Sequence, residues 1–107
     1  MRLTNISEIN VQVLASRLEA ETPAPKIIDV RELHEVSQGT ISGAIHIPLA
    51  TLPVRLNELE PNEEIVVICR SGARSAQACY FLSQQGYDNT YNLSGGMMAW
   101  SRMGLNT

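Results

Sequence analysis

The segment Ile65-Val66-Val67-Ile68-Cys69-Arg70-Ser71-Gly72-Ala73-Arg74-Ser75 decides how the rest of the chain is read. Its first four residues are β-branched and uncharged, the pattern of a strand buried on both faces. From Ser75 onward, Ala76-Gln77-Ala78-Cys79-Tyr80-Phe81-Leu82 has helical spacing, and Gly86 is placed to stop that helix. Cys69 therefore falls on a tight strand-to-helix loop, facing the unpaired amides of a helix N-terminus.

That position suits a reactive sulfur. Only the thiolate of cysteine is a good nucleophile, and the free thiol is mostly protonated at neutral pH. Residues 70–75 turn backbone N–H groups inward as an anion-binding nest, and the helix adds its positive end. Arg70 and Arg74 supply fixed positive charge. Gly72 and Ala73 are small enough for their amides to approach a bound group closely, and Ser71 and Ser75 bring hydroxyls to the rim. The candidate site is thus Cys69 as nucleophile, with Arg70, Ser71, Gly72, Ala73, Arg74 and Ser75 binding the substrate anion. The plainer alternative is a buried small hydrophobe, since free cysteine is among the most buried residue types. A structural cysteine, however, needs no Arg, Ser, Gly and second Arg arranged around a helix start.

The whole chain narrows the context. Its 107 residues suit one domain, 1–107, with a core large enough to need neither disulfides nor metals. A net charge of −3, with only eight Lys and Arg together, leaves no nucleic-acid footprint. No apolar run is long enough to span a bilayer, and the start lacks the regions of a signal peptide. Two cysteines ten positions apart are not a disulfide framework, and no CxxC or His cluster calls for a metal or other cofactor. The expectation is a cytoplasmic protein with no membrane partner.

The rest of the chain alternates between strand and helix patterns. Residues 3–6 read as a short edge strand, with Ser7 as helix N-cap and Ile6 and Val11 as a hydrophobic staple. Val11, Leu14, Ala15 and Leu18 share one helical face, and Thr22-Pro23-Ala24-Pro25 ends that helix. A second buried strand covers 26–30, a short helix 32–37 closes at Gly39, and a third strand covers 44–47 up to Pro48. A helix over 51–59 turns Leu52, Leu56 and Leu59 inward. Cys69 ends the fourth strand, and the helix after it runs to about residue 85. A fifth strand covers 90–93, and Ser94-Gly95-Gly96 leads into a final helix with Trp100. This order predicts an α/β fold with a mainly parallel sheet covered by helices on both faces. Ligand sites of such sheets lie beyond the carboxyl ends of the strands, where Asp29-Val30-Arg31, Cys69 and Ser94-Gly95-Gly96 converge.

Four pieces, in this order, resemble a single-domain rhodanese over essentially the full chain. They are Ile28-Asp29-Val30-Arg31-Glu32, then Gly39-Thr40-Ile41-Ser42-Gly43-Ala44-Ile45-His46-Ile47-Pro48, the cysteine loop, and Leu93-Ser94-Gly95-Gly96-Met97-Met98-Ala99-Trp100. The resemblance implies a rhodanese-like fold with a five-stranded, mainly parallel sheet. It also implies a sulfurtransferase that carries sulfane sulfur as a Cys69 persulfide, taken from a donor such as thiosulfate and passed to cyanide or a thiol. A persulfide carrier serving a protein donor or acceptor is the alternative. Phosphatases related to this fold have a cysteine loop one residue longer. The four residues between Cys69 and Arg74 form a ring better suited to one sulfur than to phosphate or arsenate.

Other residues invite plainer readings. Cys79 is a core cysteine on the sheet-facing side of its helix rather than a resolving thiol. His46 bonds backbone groups rather than serving as a base, and His34 is a solvated helix residue. Asp29 and Arg31 are near the site, where the two readings are pairing with each other or with Glu35, and contact with substrate. Met97, Met98, Trp100 and Met103 belong to a packed terminal helix more readily than to a partner surface.

Overall fold

The computed structural model describes residues 6–20, 23–105 and 107. In chain order the elements are β1 (Glu8–Ile9), α1 (Val11–Glu19), β2 (Lys26–Asp29), α2 (Leu33–Val36) and β3 (Ile45–His46). Two 3₁₀ segments, Leu49–Val54 and Leu56–Glu58, precede β4 (Ile65–Ile68), α3 (Ala73–Gln84), β5 (Thr90–Leu93) and α4 (Gly96–Arg102). The uncharged run 65–68 forms the middle strand of a five-stranded sheet ordered β1-β5-β4-β2-β3, and all four of its residues are buried. Among the described residues every strand pair is parallel, so the expected α/β sheet is present.

The two-residue period of the strands sorts the core into two layers. On one face Ile28, Ile65, Val67 and Cys69 pack with Ala78, Cys79 and Leu82 of α3 and with Leu52 and Leu59. On the other, Ile27, Val66, Ile68 and Leu93 pack with Val11 and Leu14 of α1 and with Met97 and Trp100 of α4. Each such aliphatic side chain contributes about 1.5–3 kcal/mol on full burial. Among the described residues no helix is long and apolar enough to cross a membrane.

Three expectations need correction. The first strand is Glu8–Ile9, whereas positions 3–5 of the expected strand lie outside the described residues. Ser7 is not the cap, because its carbonyl accepts the Asn92 amide at 2.8 Å and keeps the chain extended. Asn10 caps α1 instead, its side-chain oxygen accepting the Val13 amide at 2.8 Å. The staple moves with it, and Ile9 joins Leu14 in one cluster. The helix expected over 51–59 is two 3₁₀ segments broken at Arg55, because Pro53 lacks an N–H and its ring opposes α-helical pairing. Leu52 and Leu59 are nonetheless buried as expected, with Leu56 packed at their edge.

Candidate active site

Cys69 directly follows β4, and its side chain points to the face covered by α3. The chain must then turn into a helix within three residues. Gly72 makes that turn at φ 108°, a left-handed conformation that favours glycine. The turn aims the Gly72 amide at the sulfur, donating to Sγ at 3.0 Å. Ser75 Oγ, from the first turn of α3, lies 3.2 Å from Sγ. Cys69 and Ser75 are both buried. Burial pushes the Cys69 thiol up and is the largest single influence on it. Hydrogen bonds from the Ser75 hydroxyl and from the amides of Ser75, Gly72 and Ser71 together outweigh burial, holding the thiol below its ordinary value.

A second helix start grips the loop from behind. The Met97 and Met98 amides donate to the carbonyls of Cys69 and Arg70 at 2.8 and 3.0 Å. Those carbonyls are thereby held toward α4. Gly96 is pressed against this backbone, and a Cβ there would lie 2.5 Å from the Cys69 carbonyl oxygen. The Gly95-Gly96 pair thus brings the first-turn amides of α4 against the loop, where they bind its carbonyls rather than the sulfur.

The two loop arginines differ. Arg74 is half-buried and holds Glu35 of α2 through two hydrogen bonds of 2.7 Å. That guanidinium and the Glu32 amide keep the Glu35 carboxyl down at about 2. Arg70 is exposed and has no ion-pair partner among the described residues. It borders a shallow depression with Arg31, Glu35, Met97 and Met98. Of the other loop residues, Ser71 and Ala73 are exposed and Gly72 is half-buried.

The wall beside the loop is a buried ion pair at the end of β2. Arg31 Nη2 donates to Asp29 Oδ2 at 2.8 Å and to the Gly39 carbonyl at 2.7 Å. Thr40 donates to the same carboxylate at 2.7 Å. Asp29 and Arg31 therefore pair with each other, while Glu35 pairs with Arg74. His46 Nε2 donates to the Arg31 carbonyl at 2.6 Å, the backbone contact expected of it. His34 is exposed. Cys79 is buried in the core, where burial pushes its thiol up to about 12 against the pull of a Thr90 hydrogen bond. Met97 and Trp100 are packed, whereas Met98 and Met103 are exposed.

Sequence reasoning missed Asn92. This residue is buried on β5, where its amide group donates to the Gly72 carbonyl and to Glu8, both at 3.0 Å, and accepts from Ser75. The available signal was a polar residue at the central position of Tyr91-Asn92-Leu93, one strand away from the cysteine strand.

Comparison with known proteins agrees with this architecture. The model of the rhodanese-like domain family matches residues 10–103, and the chain belongs to that family. A sulfurtransferase of Allochromatium vinosum is 43% identical over 100 residues, covering 94% of this chain and 92% of its own. The thiosulfate sulfurtransferase GlpE of Shewanella oneidensis is 29% identical over 98 residues, covering 92% of this chain and 95% of its own. A rhodanese-like domain protein of Staphylococcus aureus superposes with a TM-score of 0.84 at 36% identity, covering 89% of this chain and 91% of that one.

Proposed function

We propose that this protein is a sulfurtransferase that takes sulfane sulfur from thiosulfate onto Cys69 and passes it to a thiol, or to cyanide in an assay. The observation that carries the reading is the setting of Cys69 Sγ. It is buried at a helix start, accepts the Gly72 amide at 3.0 Å, and has Ser75 Oγ at 3.2 Å. Such a sulfur is stabilised as an anion before any substrate arrives. The Cys69 thiolate attacks the outer sulfur of thiosulfate, the S–S bond breaks, and sulfite leaves with its electron pair. The outer sulfur stays on Cys69 as a persulfide anion, and the amides of Ser71, Gly72 and Ser75, which face the sulfur, stabilise its charge. An acceptor then attacks that sulfur, and the Cys69 thiolate leaves. The step is ping-pong and needs no base once the thiolate exists.

Arg70 is the residue suited to the sulfonate end of the donor, because it is exposed beside the loop and carries no carboxylate partner among the described residues. The names of the full-length relatives support sulfur transfer as the general activity, and that of the Shewanella protein supports thiosulfate as donor. The free thiols fit a reducing compartment such as the cytoplasm. Mass spectrometry after thiosulfate treatment tests the reading. One sulfur should be added to Cys69, removed by cyanide, and absent in Cys69→Ser. A Cys69 that never gains sulfur from thiosulfate overturns it.

A further inference from the structure

The hydrogen bonds beneath the cysteine loop fix the direction of their own protons. Asn92 Nδ2 faces the Gly72 carbonyl and the Glu8 carboxylate, both at 3.0 Å. Both groups accept, so the NH₂ end of the amide must face them and Oδ1 must face Ser75. An amide oxygen only accepts, so the Ser75 hydroxyl donates its single proton to Asn92. Its oxygen is then left to receive the Cys69 S–H across 3.2 Å. The thiol state therefore reads Cys69 S–H to Ser75, and Ser75 O–H to Asn92. Once Cys69 ionises, the sulfur has no proton to give. Two buried acceptors, Sγ and Oδ1, then face one hydroxyl proton.

We propose that Asn92 is a positioning residue for the sulfur chemistry, its side-chain oxygen competing with the Cys69 thiolate for the proton of Ser75. The inference rests on the reading of Cys69 as the sulfur-carrying thiolate. With Cys69 as thiolate, the Ser75 proton swings to sulfur. With Cys69 as persulfide, Sγ is the inner, uncharged sulfur and the proton returns to Asn92. During handover to a thiol RSH, its proton passes to the persulfide anion, and the thiolate RS⁻ attacks the outer sulfur of Cys69–S–SH to form RS–SH. The Cys69 S–S bond breaks, its electron pair goes to Sγ, and the swinging hydroxyl meets the new thiolate. That swing uses the Ser75 proton alone, and other charged and titratable groups lie around the sulfur. They are Arg74 on α3 with its Glu35 partner on α2, Arg70 in the loop, Cys79 further along α3, and Glu8 at the far end of the chain of hydrogen bonds.

A double-mutant cycle tests the competition. The ultraviolet absorbance of the Cys69 thiolate is titrated in the wild type, Asn92→Leu, Ser75→Ala and the double variant, each against its Cys69→Ser counterpart. Losing the Asn92 bond to Gly72 affects both backgrounds and cancels. With Ser75 present, Asn92→Leu is expected to lower the Cys69 pKa by about one unit relative to its effect in Ser75→Ala. Equal effects in the two backgrounds, or a relative rise, overturn the proposal. Should Asn92→Leu fail to fold, Glu8→Gln at the exposed end of the chain takes its place. A smaller downward shift that needs Ser75 supports the proposal, and a shift independent of Ser75 overturns it. The titration needs no sulfur donor. A protein that fails to take up sulfur but shows the coupling loses only the proposed function, and one that takes up sulfur without the coupling loses only the role of Asn92.

Discussion

Arg74 and Glu35 stand 39 residues apart in sequence and meet through two parallel hydrogen bonds of 2.7 Å. The geometry is the bidentate fork that suits guanidinium to carboxylate. It commits Arg74 to holding α2 against the start of α3, which leaves Arg70 as the loop cation facing solvent.

The two arginines should therefore fail differently. Arg70→Ala is expected to raise KM for thiosulfate about tenfold with a smaller change in kcat, since a charged hydrogen bond to the donor is lost. Arg74→Ala should chiefly lower the denaturation midpoint, because it leaves the Glu35 carboxylate unpaired. Steady-state kinetics with a urea titration of each variant separates the two. Equal KM effects at both positions would count against the division.

The same pair gives an acid signature. The Glu35 carboxyl is held at about 2, below its ordinary value of 4.5. A carboxyl lowered by folding stabilises the protein above its unfolded pKa, and the gain is lost as pH falls through the folded one. Wild type should thus lose stability between pH 4.5 and 2 that Glu35→Gln does not. Solvent reaches both partners, so the difference should be on the order of 1 kcal/mol. Urea midpoints across that window, wild type against variant, are the measurement.

The sulfurs predict opposite trends at high pH. Cys69 lies below its ordinary value, so its contribution to stability is present above the ordinary thiol range and fades as pH falls through the folded pKa. Cys79 is pushed up to about 12, so its contribution is present below the ordinary 9.0 and is lost as pH rises toward 12. Cys79→Ala should flatten the alkaline loss of stability and still take up sulfur at Cys69. A Cys79→Ala protein that cannot be persulfidated would restore the resolving-thiol role that the core position argues against.

Gly96→Ala should disable the site from outside it. The added methyl would meet the Cys69 carbonyl oxygen at 2.5 Å and the Arg70 carbonyl carbon at 2.6 Å, both rigid backbone atoms. The loop must move to make room, at a cost of roughly 1–3 kcal/mol, and sulfur uptake should fall more than tenfold. Gly86→Ala is the control, since Gly86 is also left-handed but a methyl there meets nothing within 4 Å. Similar loss of activity in both variants would show that backbone strain, not contact with the loop, is responsible.

Much of the architecture was legible because its signals are local. The β-branched run 65–68 marks the central strand, and Gly72 marks the turn that presents Cys69 to α3. The cap of α1 was misplaced by three residues because Ser7 and Asn10 are both good caps, and only pairing with β5 decides between them. The 49–58 stretch has helical leucine spacing, but Pro53 breaks it into tighter turns that bury Leu52 and Leu59 all the same. Around the site, the loop was readable and its supports were not. Glu35 reaches Arg74, and Asn92 reaches Ser75, only after distant segments have been folded together. No spacing rule joins residues on different elements. The Asp29–Arg31 pair was visible because both members belong to one strand end.

The carbonyls of Cys69 and Arg70 are bonded to the amides of Met97 and Met98, so opening the cysteine loop and fraying the start of α4 are one event. Hydrogen exchange at those two amides then becomes a clock for how often the sulfur meets solvent through local unfolding. A ligand or persulfide that tightens the loop should slow that clock at the far side of the loop, away from the sulfur itself.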